Sequence, residues 1–227
     1  MTQADGVPLK SIAETPGFDP TRTWGPGPLL LIQAPHPDGD APFLFSTPDG
    51  GRDEQGHVNA ASTAQLFQQG PLSAYLAPNA VLVPIRKTTR NSFGGQITIG
   101  RARNNDIRLS DPSVSKVHAY VIPPKGWPML DEGGWYLRDA GSTNGTYMLS
   151  GSGAVKADMR SGLLLAPGTE IRLGSVLAIY VDPEHLRGAI DYAKQEWSKR
   201  DREAAKKGSD DTARLQREGT ARLRRPD

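Results

Sequence analysis

No cysteine occurs among the 227 residues. That absence excludes a disulfide framework, a thiolate metal site and a cysteine nucleophile, and it fits a reducing compartment. Histidine is scarce as well. His36, His57, His118 and His185 are scattered without the spacing of metal ligands, and no metal or cofactor is expected. Long apolar runs are missing: Leu29–Ile32 and Val176–Val181 are far too short to cross a bilayer. The opening Met1-Thr2-Gln3-Ala4-Asp5-Gly6 lacks the basic and apolar regions of a secretory signal, so the expected location is cytoplasmic. Charge of one sign is not in excess. Lys and Arg number 27 against 25 Asp and Glu, a net +2 that gives no global argument for nucleic acid. Neither a glycine-rich nucleotide loop nor a Gly-x-Ser-x-Gly elbow is present. Asp111, Ser115 and His118 are crowded into one loop and strand start, too close to converge as a hydrolase triad. No enzyme is expected.

What is abundant is glycine (25) and proline (19), which suits a turn-rich β domain with flexible flanks. Residues 1–26 are polar and read as a flexible N-terminus. Residues 27–78 form an accessory segment of mixed structure. It holds short strands at Leu29–Ile32 and Phe43–Phe45, a helical pattern from Val58 to Gln69, and no recognisable chemistry. Residues 79–182 carry the β domain. Val81 to Arg86 reads as an edge strand, since its proline cannot donate to a ladder. Short strands follow at about 96–99, 107–109, 118–122, 135–138, 146–149, 163–165, 170–173 and 176–181, the spacing of a sandwich. The fold class is therefore mainly β, a sandwich of short antiparallel strands with a small mixed N-terminal segment and a C-terminal helix. That helix occupies 183–207, with Asp182 as N-cap, Pro183 at the first helical position and an apolar stripe of Leu186, Ile190, Ala193 and Trp197. The charged remainder, 208–227, reads as a disordered tail.

Three pieces of the β domain carry chemistry. The first is Ile97-Thr98-Ile99-Gly100-Arg101, in which an alternating run ends at glycine and an arginine follows at once. The second is Ser113-Val114-Ser115-Lys116-Val117-His118, a loop feeding a strand. The third is Gly141-Ser142-Thr143-Asn144-Gly145-Thr146, a small polar link between two strands. They place Arg101, Ser115, Lys116, Thr143 and Asn144 at strand ends or in loops, where a rigid scaffold can aim them at one ligand. Two cations, two hydroxyls and an amide, with no acid among them, match a dianion with several acceptor oxygens. A phosphorylated hydroxyl has that chemistry.

Gly-Arg, Ser-x-x-His and Ser-Thr-Asn-Gly-Thr in this order, with strands between them, resemble the forkhead-associated (FHA) domain, over roughly Ala80 to Asp182. The resemblance implies a phosphothreonine-dependent interaction module, an adaptor that docks onto proteins marked by a Ser/Thr kinase. Arg101 would be the main phosphate anchor and Ser115 a hydroxyl donor. Lys116 would act as a point charge, Asn144 would bond the peptide backbone, and Thr143 would contact the phosphothreonine or shape its loop. Gly100, His118 and Gly145 would support the site, the glycines by permitting tight turns and the histidine by bracing loops. Two departures from the family pattern bear on side-chain preference: Ser150-Gly151-Ser152-Gly153 replaces an Asn-Gly, and the loop before Trp135 is long. The alternative is a constitutive, phosphate-independent scaffold on the same fold, usually marked by loss of the arginine or serine that this chain keeps. The expected partners are phosphothreonine-containing proteins, not membrane or nucleic acid. Thr15, Thr21 and Thr23 offer a phosphorylated N-terminal tail that would dock back onto the site.

Overall fold

A computed structural model describes residues 6–33, 75–125, 133–150 and 153–222. The expected strand at 43–45 and helix at 58–69 lie outside the described residues. The chain divides into two compact units, Met1–Ile190 and Asp191–Asp227.

Among the described residues the first unit has twelve strands: β1 (Val7–Pro8), β2 (Leu29–Ile32), β3 (Val81–Pro84), β4 (Ile97–Gly100), β5 (Ile107–Arg108), β6 (Ala119–Ile122), β7 (Trp135–Asp139), β8 (Thr146–Ser150), β9 (Gly153–Lys156), β10 (Leu163–Leu165), β11 (Glu170–Leu173) and β12 (Val176–Val181). They form a seven-stranded sheet, β1-β3-β2-β12-β11-β8-β9, and a five-stranded sheet, β10-β7-β6-β4-β5. Every pairing is antiparallel except β4 with β5. One apolar core joins the inner faces: Leu30, Ile32, Val83 and Ile171 from the larger sheet meet Ile99, Val121 and Leu137 from the smaller. The expected β-sandwich is present, and its strands fall close to the expected positions.

The outer face of the larger sheet is covered too. Side chains alternate along a strand, so Leu29 and Leu31 point away from Leu30 and Ile32, yet all four are buried. Leu31 stands opposite Leu82 on one side and Ile179 on the other, extending that apolar strip. Among the described residues, the buried apolar side chains outside the core between the sheets include Leu9 and Ile12 of α1 (Leu9–Ala13), Tyr75 and Leu76, and Leu186 and Ile190 at the start of α3 (Pro183–Arg222). Between α1 and β2, the short α2 (Pro20–Trp24) is capped by Asp19, whose carboxylate also accepts a bond from Arg187 at 3.0 Å.

Four expectations need correction. Residues 6–26 are not a flexible lead-in. Val7 and Pro8 pair with Leu82 and Val81, and α1 and α2 follow. Thr15 and Thr23 bond the carbonyls of Ser11 and Asp19, and Thr21 sits in the Asp19 cap, so the tail needed for self-docking is instead part of the fold. Leu29–Ile32 does not belong to a separate segment, because it lies between β3 and β12 inside the sheet. Consequently β3 is internal at residues 81 and 82, and Pro84 is tolerated because β1 ends before reaching it. Beyond the sandwich, α3 passes Lys207 and runs to Arg222. The stretch from Ala213 to Arg222 holds the helix formers Ala213, Arg214, Leu215, Gln216, Arg217 and Glu218, and no proline follows until Pro226. Gly208 and Gly219 weaken the helix by about 1 kcal/mol each without ending it. β9, unforeseen, follows the glycine-serine stretch and pairs with β8.

Candidate functional site

The loops after β4, after β5 and after β7 meet at one end of the sandwich, and backbone hydrogen bonds fix the meeting. Arg101 N donates to Ser115 O at 2.9 Å and Ala102 N to Lys116 O at 3.1 Å. Gly100 makes this approach possible. A Cβ there would stand 2.4 Å from Lys116 O and 2.9 Å from Val117 Cα, well inside contact distance. Asn105 strengthens the join, its amide nitrogen reaching Ala102 O at 2.8 Å and Lys116 O at 2.7 Å.

Arg101 is exposed, and its Nε donates to Val114 O at 3.1 Å. That bond holds the guanidinium plane and leaves both terminal amino groups for a ligand. Ser115 Oγ accepts the backbone N–H of Thr143 at 3.1 Å and lies 3.4 Å from Thr143 Oγ1. Asn144 is exposed, donates to Ser113 O at 2.7 Å, and keeps its amide oxygen without a donor among the described residues. So Arg101, Ser115, Thr143 and Asn144 belong to one bonded set. Lys116 is exposed beside it with no ion pair among the described residues.

His118 is fully buried at the start of the next strand and joins two of these loops. Ser115 N donates to its Nδ1 at 3.0 Å, so the proton must reside on Nε2, which donates to Gly145 O at 3.1 Å. Burial pushes its pKa below the ordinary histidine value, against the opposing pull of Gly145 and Asp139. Gly145 has φ of +76°, a conformation that favours glycine. These contacts also dispose of a Ser–His–Asp triad. His118 meets Ser115 through its backbone and not its hydroxyl, while Asp111 accepts from Ser113 N and Oγ.

The residues not singled out in the sequence are the buried acids. Asp106 Oδ2 accepts from Thr98 N and Lys87 Nζ, both at 2.9 Å; Oδ1 accepts from Thr88 N at 2.8 Å and Oγ1 at 2.7 Å. Burial pushes its pKa up, but the bonds from Thr98, Lys87 and Thr88 outweigh that and hold it far below the usual carboxylate range. Asp139 does the same for the third loop, accepting Gly141 N at 2.8 Å, Ser142 N at 2.9 Å, Ser142 Oγ at 2.6 Å and Thr146 Oγ1 at 2.8 Å. The only signal for either in the sequence is an aspartate beside small polar residues, which any turn would show. Among the described residues no cluster of His, Asp or Glu could hold a metal ion, and no helix is long and apolar enough to cross a membrane.

A family model described as FHA domain matches residues 97–174. Over 90 residues the chain is 32% identical to the FHA domain-containing protein FhaB of Mycolicibacterium smegmatis, covering 39% of this chain and 50% of that protein. The chain thus spans about half the length of this curated relative. Of solved structures, one from a study of phosphothreonine-dependent FHA domain interactions is 26% identical, with a TM-score of 0.34 over 46% of this chain and 88% of that one. The FhaA FHA domain, complexed with the intracellular domain of a second protein, is 30% identical, with a TM-score of 0.29 over 40% and 84% of the two chains. The family model lies over the loops that carry Arg101, Ser115 and Asn144, so residues 97–174 of this chain are an FHA domain.

Proposed function

We propose that the chain is a phosphothreonine-dependent interaction module that docks onto proteins marked by a Ser/Thr kinase. The observation that supports this reading is the bonded set at the loop end, in which Arg101, Ser115, Thr143 and Asn144 are linked through Val114, Ser113 and each other. One fixed cation and several neutral donors suit the three oxygens of a phosphate, and an amide with a spare donor and acceptor suits a peptide backbone. The nearby acids turn their oxygens toward donors within the fold. Asp106 is occupied by donors from Lys87, Thr88 and Thr98, Asp111 by Ser113 and Ser175, and Asp139 by Ser142. Lys116 adds positive charge at the rim.

In this reading the protein performs no chemistry on its ligand. Binding energy comes from charge-assisted bonds to a group that appears only after a kinase has acted, so affinity itself reports modification. A phosphothreonine peptide library probed with the full chain is the test. Selection of phosphorylated over unphosphorylated sequences is expected, and binding indifferent to the phosphate overturns the reading.

A further inference from the structure

Charge is distributed unevenly around the proposed phosphate site. Between Arg86 and Lys116 lie seven basic residues and two acids. Asp106 has no exposed side-chain surface and pairs with Lys87 at 2.9 Å, while Asp111 is bonded by Ser113 and Ser175. Arg101, Arg103 and Lys116 are exposed, and no ion pair reaches them among the described residues. They stand on two loop segments bonded directly to each other through Ala102 N, Lys116 O and the Asn105 amide. Arg103 is two residues from Arg101, which sets their Cα atoms at most about 7 Å apart.

One phosphate brings at most about −2 charge and three acceptor oxygens. Arg101 with Ser115, Thr143 and Asn144 already supplies donors for them. Arg103 and Lys116 are then surplus like charges at the lip of the site, repelling Arg101 and each other until an anion is present. We infer that the favoured ligand carries a second acidic group beside its phosphothreonine, received by Arg103 and Lys116. An extended peptide advances about 3.3–3.6 Å per residue, so a group one to three residues from the phosphothreonine falls within reach of these long side chains. An aspartate or glutamate and a second phosphorylated hydroxyl share the required chemistry.

This inference rests on the phosphothreonine reading, and its test separates the two. The full chain is titrated with a parent peptide holding one phosphothreonine among neutral residues. Two further sets carry either an aspartate or a second phosphothreonine, moved through the flanking positions. At the best position the aspartate should tighten binding about threefold and the second phosphothreonine about tenfold in dilute buffer. Both gains should shrink at high salt. A gain from both sets identifies an acidic sequence as sufficient; a gain confined to the second set identifies a doubly phosphorylated partner. Arg103→Gln should leave the parent affinity within about twofold and reduce the tenfold gain to about threefold or less. Parent binding with no gain at any position overturns the second acidic group alone, as does a gain that Arg103→Gln leaves intact. Failure of the wild-type chain to bind the parent overturns both readings.

Discussion

The backbone N–H of Ser115 donates to Nδ1 of His118, 3.0 Å away, while the opposite ring nitrogen holds the carbonyl of Gly145. One neutral imidazole therefore sets the distance between the loop carrying Ser115 and the loop carrying Asn144. A proton on Nδ1 would remove the acceptor that Ser115 uses. Site geometry and the charge state of a residue that need never touch the ligand are coupled through this ring.

Burial lowers the His118 pKa below its ordinary 6.5. In the range just below that value the unfolded chain takes up a proton that the folded chain refuses. This contribution to stability is complete above 6.5 and declines as pH falls, with a slope of at most about 1.4 kcal/mol per pH unit. Urea denaturation between pH 7.5 and 5 should show that decline in the wild type and a flatter profile in His118→Ala. The variant should also be less stable by about 2–4 kcal/mol at pH 7.5, since two buried backbone groups lose their partner.

Arg101→Ala should leave the denaturation midpoint nearly unchanged, because the side chain is exposed and makes a single internal bond. Each lost charge-assisted bond to phosphate is worth about 1.5–3 kcal/mol, so affinity for a phosphothreonine peptide should fall at least tenfold. Calorimetry on the two proteins measures this, and an unchanged Kd would remove Arg101 from the site.

Phosphothreonine should be preferred over phosphoserine. Burying one methyl group is worth about 0.8 kcal/mol, about a fourfold difference in Kd, and more if an unfilled niche remains. Titration of two peptides that differ only in that methyl is the check.

Asp106→Ala should be the most damaging of these substitutions to the fold. It strands the backbone N–H groups of Thr98 and Thr88 and the Lys87 ammonium, a loss of about 3–5 kcal/mol. In the wild type the folded-state pKa of Asp106 is depressed. Its stabilisation is thus present above the unfolded value and lost as pH falls below about 4. Thermal melts at pH 7 and pH 2.5 should differ by about 2 kcal/mol more for the wild type than for the variant.

The residues of the candidate site are easier to pick out in the sequence than the pairing of the scaffold strands, for a physical reason. Gly100-Arg101, Ser115 to His118 and Ser142 to Thr146 are compact runs whose residue types suggest their chemistry, and hydrogen bonds join the loops that carry them. The role of Asp106 depends on Thr98 and Thr88, 8 and 18 residues away, so nothing local distinguishes it from a turn aspartate. Leu29–Ile32 is legible as a strand, but its neighbour β12 lies about 150 residues further on, and alternation along four apolar residues cannot name a partner. The end of α3 is not legible at Lys207-Gly208, a stop signal only where helix formers do not resume, as they do here up to Arg222.

The place of β2 between β3 and β12 bears on how the protein is made. As the ribosome delivers the chain, Leu29–Ile32 can pair with Val81–Pro84 early, but its other edge stays open until Val176–Val181 emerges. For that interval the nascent chain displays an apolar strand with unpaired N–H and C=O groups, a template for pairing with other chains. A fragment cut to residues 97–174 would lack β1, β2, β3 and β12 and would leave β11 as an open edge. Both the newborn protein and the trimmed domain therefore share one hazard, aggregation at an edge that β12 is built to close.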